Sequence, residues 1–342
     1  MLNRWVKGLL AVGLVAGGIG ASSVTAQAKS YAKVVKTSRT LVQSSTYVNF
    51  TGKNALYNKV GTLKGAKVVK TTKQLKKYAS SKRGMDTFMW LETATTNRKS
   101  EYLKVASLDN KVKGWIYSGK TTDYKDQVVR YKDAAKTQPA GGVTMFETLK
   151  KSPVTTAEAS GFYRLANPGT ATDGTAKVYS LPLDVSPVVS PAIVNMPNKA
   201  SSADYANDVF VITGAVTRTR QGDRWLQVSD LSNSHIAGYI KDGSLKRIAP
   251  VTAKHGVTVN YVDQDTNKTV GSVIVPFGAA VGKTTMSFGY EFDNYADSYQ
   301  YMQMPAGYVG AYSENDFFGT QPGTFNVKKG AVVTYYVQPK VN

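Results

Sequence analysis

Along most of the chain, apolar and polar residues alternate in short stretches with a period of two, the period of a half-buried strand rather than of a helix. Tyr102-Leu-Lys-Val105 and Trp225-Leu-Gln-Val228 both alternate in this way. An Asp-Asn or Ser-Asn turn follows each, and a Gly-aromatic-Ile strand then returns, as Gly114-Trp115-Ile116 and as Gly238-Tyr239-Ile240. Further on, Val257-Thr-Val-Asn-Tyr261 alternates, Asp263 to Asn267 reads as a polar turn, and Val270 to Val275 as its partner strand. Gly307-Tyr308-Val309 and Ala331 to Val337 read as later strands. Two stretches break the pattern. Thr72 to Tyr78 predicts a short helix with Thr72 as N-cap, and Val143 to Leu149 predicts a helical turn or two.

Sliding the chain by about 122 residues exposes a duplication. Ala55-Leu56-Tyr57 returns as Lys177-Val178-Tyr179, Asp86-Thr87-Phe88 as Asp208-Val209-Phe210, and Thr95-Thr96-Asn97-Arg98 as Thr217-Arg218-Thr219-Arg220. The two alternating strands and their Gly-aromatic-Ile partners follow in the same order. Short strands with glycine turns in each copy predict a mainly β protein with two SH3-like small-barrel repeats. The expected organisation is a signal peptide over residues 1–28, a basic module over 29–120, a linker over 121–158, a second module over 159–250, and a β-rich third domain over 255–339. The aromatic run from Phe288 to Tyr301 reads as packing in that last domain.

Charge changes the picture most. The chain carries a formal +20, yet residues 29–150 hold 25 basic against 8 acidic residues, whereas residues 255–342 are slightly acidic. A charge gathered into one module points to a polyanionic partner rather than to solubility. The N-terminus adds the compartment. Arg4 and Lys7 precede a glycine-rich apolar run from Leu9 to Ala21, and Ala26-Gln27-Ala28 is a small-x-small cleavage site. Export is expected, with no transmembrane span, and nucleic acid is therefore not the expected polyanion. Cysteine is absent, which suits a secreted protein of a Gram-positive bacterium. With no sorting signal or apolar tail read at the C-terminus, the mature protein is expected to be free or held non-covalently.

The residues for catalysis are sparse. No thiol exists, no Gly-x-Ser-x-Gly elbow occurs, and two histidines, His235 and His255, are too few for a three-histidine zinc site. The six glutamates, Glu92, Glu101, Glu147, Glu158, Glu291 and Glu314, are scattered. Asp263, Asp265 and Asn267 alternate like a calcium loop but lack its glycine and its closing glutamate. No enzyme activity, metal or cofactor is expected.

Polymer binding fits better. Lys64, Lys67, Lys70, Lys73, Lys76, Lys77, Lys82 and Arg83 form the densest cluster, and Arg98, Lys99, Lys104, Lys111, Lys113 and Lys120 follow it. Many modest lysine contacts along a repeating phosphate chain add up through avidity. Tyr102, Trp115 and Tyr117 in the first copy, and Arg220, Trp225 and Tyr239 in the second, are the other candidates, the rings for stacking on sugars.

Two resemblances sharpen these expectations. Thr51-Gly-Lys-Asn-Ala-Leu-Tyr57, Gly61 to Val69, Lys77-Tyr-Ala-Ser-Ser-Lys82, Thr95-Thr-Asn-Arg98 and Lys113-Gly-Trp-Ile-Tyr-Ser-Gly-Lys120 resemble the wall-attachment region of surface-layer (S-layer) proteins from lactobacilli. That resemblance implies non-covalent binding to wall polymers, whether teichoic or lipoteichoic acid or a neutral secondary polysaccharide, and self-association in a surface lattice. Val257-x-Val-x-Tyr-Val-Asp263, Gly282-Lys-Thr284, Met304-Pro-Ala-Gly-Tyr308, Gly323-Thr-Phe325 and Val332-Val-Thr-Tyr335 are similar to a mucin-binding-protein (MucBP) repeat, a β-grasp type domain. The implied function is a cell-wall or S-layer surface protein; the alternative is a wall-tethered adhesin that binds mucin or host glycans through its C-terminal domain.

Overall fold

The structure, a computed structural model, describes residues 30–40, 46–121, 141–186, 191–232, 236–279, 281–286, 304–311 and 326–340. The expected signal peptide, residues 122–140 of the expected linker, His235, the aromatic run 288–301 and residues 323–325 lie outside them. The described chain is mainly β.

The first eight strands are β1 (Val34–Arg39), β2 (Tyr47–Phe50), β3 (Leu56–Tyr57), β4 (Val68–Lys70), β5 (Phe88–Thr96), β6 (Ser100–Ser107), β7 (Lys113–Lys120) and β8 (Val143–Met145). They form one sheet in the order β4-β3-β7-β6-β5-β2-β8, with β1 also on β5. The antiparallel β5–β6 and β6–β7 hairpins are its spine. The Asp109-Asn110 turn behaves as expected: the Asp109 carboxylate accepts from Ser107 Oγ at 2.7 Å and Lys111 N–H at 3.2 Å, and Asn110 takes a positive φ of 56°. Inward-facing Leu56, Leu103, Val105, Ile116, Phe88 and Val48 make the core. Helix α1 (Thr72–Ala79) closes one end through Leu75. Its N-cap is Thr71, one residue earlier than expected, because Thr71 and Gln74 satisfy each other's backbone N–H groups in a capping box.

The expected helical turn at Val143–Leu149 is instead two strands. Val143 is buried and Thr144 exposed, a period of two, and β8 pairs with β2. Strand β9 (Leu149–Lys151) pairs with the second module. Gly142 lets β8 approach: a Cβ there would lie 2.6 Å from the Ile116 side chain. The expected linker therefore supplies an edge strand to each module.

The second module contains β9, helix α2 (Thr156–Ala159), β10 (Tyr163–Leu165), β11 (Phe210–Arg218), β12 (Arg224–Asp230), β13 (Ala237–Lys241) and β14 (Leu245–Arg247). Its order is β13-β12-β11-β10-β14, with β9 on β11. The third sheet, β16 (Thr269–Pro276), β15 (Gly256–Asp263), β18 (Val332–Pro339) and β17 (Tyr308–Gly310) in that spatial order, is mixed, with β15 and β18 parallel at its centre. Asp263 to Asn267 is a turn, not a cation loop: the Asp263 carboxylate accepts from the Asp265 and Thr266 N–H groups.

Neighbouring modules share buried contacts. Val209, Val211 and Leu231 of the second module sit in one apolar cluster with Val257, Val259, Tyr261 and Val333 of the third sheet. Between the first two modules lies Arg220. Its guanidinium donates to Thr87 Oγ1 at 2.8 Å, Tyr78 O at 2.8 Å, Ser81 O at 3.3 Å and Asn49 Oδ1 at 3.2 Å, and lies 4.7 Å from the Phe146 ring centre. Arg220 is thus a correction: its side chain is buried between modules, where no polymer reaches it. The Tyr47 hydroxyl and Ser186 Oγ, 2.6 Å apart, add a buried hydrogen bond to the same joint.

Candidate polymer-binding surface

The surface is built around the glycine-aromatic pair of each copy. In the first, Trp115 on β7 is the register partner of Tyr57 on β3; in the second, Tyr239 on β13 faces Tyr179, the two exchanging N–H to carbonyl hydrogen bonds of 2.7 and 2.8 Å. The preceding glycine is required by this crossing. A Cβ on Gly114 would lie 2.6 Å from Tyr57 O and 2.7 Å from Leu56 Cγ, and a Cβ on Gly238 would collide with Tyr179 O. Gly238 also has a φ of +149°.

The strand register places one face of the first module in rows. Glu92 on β5 is opposite Lys104 on β6, Lys104 is opposite Trp115 on β7, and Trp115 is opposite Tyr57 on β3. The four side chains are all half-buried. Lys104 Nζ donates to Glu92 Oε1 at 2.7 Å and lies 5.7 Å from the Trp115 ring centre. Tyr117 belongs to the next row, edge-on to Tyr102 at 5.6 Å. Burial raises the pKa of both phenols.

The expected lysines divide into groups. Lys64 and Lys67 lead into edge strand β4, which holds Lys70; Lys73, Lys76 and Lys77 project from α1, and Lys82 follows it. All of these except the half-buried Lys70 are exposed, and none has a carboxylate within ion-pair distance among the described residues. Arg83 differs, being paired with Asp86 at 3.2 Å and Asp109 at 3.1 Å. Lys113 and Lys120 are exposed at opposite ends of β7, about 23 Å apart at strand rise. Lys120 Nζ donates to Arg98 O at 2.9 Å, beside the exposed Arg98 in the β5–β6 turn.

The rings correct the expectation further. Tyr102 is only 5% exposed, against Val60 and Ala94. Trp225 is wholly buried, covered by Gly174, edge-on to Tyr179 at 6.5 Å and with the Arg218 guanidinium 5.3 Å from its ring centre. Both belong to the packing of their modules and offer no ring face to a polymer. Trp115, Tyr117 and Tyr239 remain half-exposed. Tyr57 and Glu92 were missing from the sequence-derived set, because only the cross-strand register brings them beside Trp115.

Comparison with known proteins agrees with the duplication. No curated protein sequence matches the chain. A solved structure of a candidate autolysin from Listeria monocytogenes is similar at 12% identity, over 71% of this chain and 83% of that one, with a TM-score of 0.24. The model of the GW (Gly-Tryp) dipeptide domain matches residues 37–122 and 163–246. Those spans hold β2 to β7 of the first module and β10 to β13 of the second, with Gly114-Trp115 and Gly238-Tyr239 at corresponding places, so this chain carries two repeats of the GW domain, a cell-wall-binding domain of Gram-positive bacteria.

Proposed function

We propose that this chain is a non-enzymatic surface protein, of the surface layer or associated with it, held non-covalently on anionic wall polymers such as teichoic acid by its first GW module. The observation that carries the reading is the set of exposed lysines before β4 and on α1 that have no carboxylate within ion-pair distance among the described residues. Each is a hydrated point charge suited to a flexible phosphate chain, and together they bind by avidity. The second module, with far less excess charge, contributes mainly to the rigid framework.

The experiment is pull-down of the full-length exported protein on isolated walls, before and after chemical removal of teichoic acid, across a salt series. Binding should fall on removal of the polymer and be reversed by concentrated salt, because exposed charges are screened beyond a few ångströms at 1 M. Undiminished binding to stripped walls in high salt would reject the electrostatic reading. Replacing Lys64, Lys67, Lys73, Lys76 and Lys77 with Gln should reproduce the loss without altering the melting temperature.

A further inference from the structure

We infer that the outer row of the first module, Glu92–Lys104–Trp115–Tyr57, is a subsite for neutral pyranose rings, separate from the lysines that hold phosphate. The inference rests on the wall-polymer reading and adds the sugar unit to it.

The row joins two kinds of chemistry. Trp115 and Tyr57 are adjacent half-buried rings, suited to the apolar faces of a sugar. Beside them the Lys104 ammonium and Glu92 carboxylate are held 2.7 Å apart, with side chains 30% and 28% exposed. An ammonium donates and a carboxylate accepts, so neighbouring hydroxyls on one ring find both partners. From Tyr57 to Glu92 the row crosses three strand spacings, about 14 Å, which leaves room for more than one ring.

The same features disfavour phosphate. Glu92 already pairs with Lys104 at 2.7 Å, which offsets the charge of that ammonium. A phosphate placed there would meet a carboxylate at close range. The lysines before β4 and on α1 offer no such repulsion. The row is also preorganised: a Cβ on Gly61 would come 3.0 Å from the Tyr57 ring, so backbone supports that ring closely.

The second copy supplies the contrast. Its corresponding row is Gly214–Gln227–Tyr239–Tyr179. Glycine and glutamine replace the ion pair, the Gln227 amide oxygen lies where a Cβ on Gly214 would be 2.8 Å away, and Tyr179 is only 4% exposed. The subsite therefore belongs to the first copy alone.

The test is a titration of the full-length exported protein with maltotetraose and with chitotetraose in 0.5 M sodium chloride, followed by the indole N–H signals in NMR. The expected result is a saturable shift of the Trp115 signal by at least one of the sugars. Trp115→Ala should weaken that binding about tenfold or more, and Glu92→Gln about threefold, read from backbone amides of β7. Lys73→Gln with Lys76→Gln should leave it unchanged while reducing wall pull-down at low salt. No saturable shift with either sugar overturns the inference, as does a shift of equal size produced by glycerol phosphate in place of the sugars. Sugar binding that survives intact in both Trp115→Ala and Glu92→Gln also overturns it. Failure here leaves the salt-sensitive wall binding standing, and failure of wall binding leaves the sugar titration interpretable.

Discussion

Arg220→Ala tests whether the two GW modules form one mechanical unit. The side chain spends four hydrogen bonds on the neighbouring module, to Thr87, Tyr78, Ser81 and Asn49, and stacks near Phe146. Hydrogen bonds from a charged donor contribute about 1.5–3 kcal/mol each. Summing four would overstate the loss, because they act together and because an opened joint admits water to the abandoned carbonyls. A loss of about 3–5 kcal/mol is expected, because several neutral acceptors are left unpaired at about 1–3 kcal/mol each and the admitted water recovers part of that. With an unfolding entropy of about 2.1 cal/mol/K per residue, and about 300 residues unfolding together, that lowers Tm by roughly 5–8 °C.

Differential scanning calorimetry reads this directly. The parent should unfold in one transition, and Arg220→Ala in one centred about 5–8 °C lower. Arg220→Lys keeps the charge but not the planar fork and should recover less than half of the loss. An Arg220→Ala protein that melts in a single transition within about 1 °C of the parent would refute the reasoning, since the joint would then hold through Tyr47–Ser186 and apolar contact alone.

The glycines of the two dipeptides should respond unequally. Gly114→Ala meets Tyr57 O and Leu56 and should cost about 1–3 kcal/mol in a urea titration; Gly238→Ala adds an unfavourable φ to a backbone collision and should cost more. Equal small effects would show that the crossing strands move apart freely. The Glu158 carboxylate is held down to about 2 by hydrogen bonds from Arg224, at 2.8 and 3.1 Å, and from the Thr155 cap. Its contribution is complete above the ordinary glutamate range and lost as pH falls from about 4.5 towards 2. Urea midpoints of the parent should therefore drop through that window more steeply than those of Arg224→Gln; identical slopes would remove Glu158 from the acid response.

Much of this architecture is legible in the sequence, for reasons that differ by element. The β6–β7 hairpin and its counterpart announce themselves through short alternating runs: on β7 the buried Gly114, Ile116 and Ser118 alternate with the half-buried Trp115 and Tyr117, although β6 itself is buried on both faces. The lysine cluster is legible because net charge needs no fold to be counted. Strands β8 and β9 are three residues each, too short to show a period against the Gly141-Gly142 and Pro153 punctuation around them. The sugar-facing row is legible only in part. Trp115 stands in the sequence as a candidate ring, but its neighbours Tyr57, Lys104 and Glu92 lie on three other strands, and register alone joins them.

Arg98 and Arg220 show most clearly where reading by repeat stops. The duplication aligns them, each closing a Thr-rich stretch at the end of the module's long strand, and both invite the same reading as polymer contacts. Arg98 remains exposed in the β5–β6 turn. Arg220 occupies the corresponding turn of the second copy, but there the surface of the first module is within reach, with the Tyr78 and Ser81 carbonyls around the end of α1, the Asn49 side-chain oxygen on β2 and a threonine hydroxyl converging on it. Burial pulls the guanidinium below its usual pKa, and nearby Asp86 opposes that shift. The same residue at the same place in the repeat thus faces solvent in one copy and binds the modules together in the other. What decides between them is the adjacent copy, a fact of assembly that no local pattern within either repeat encodes.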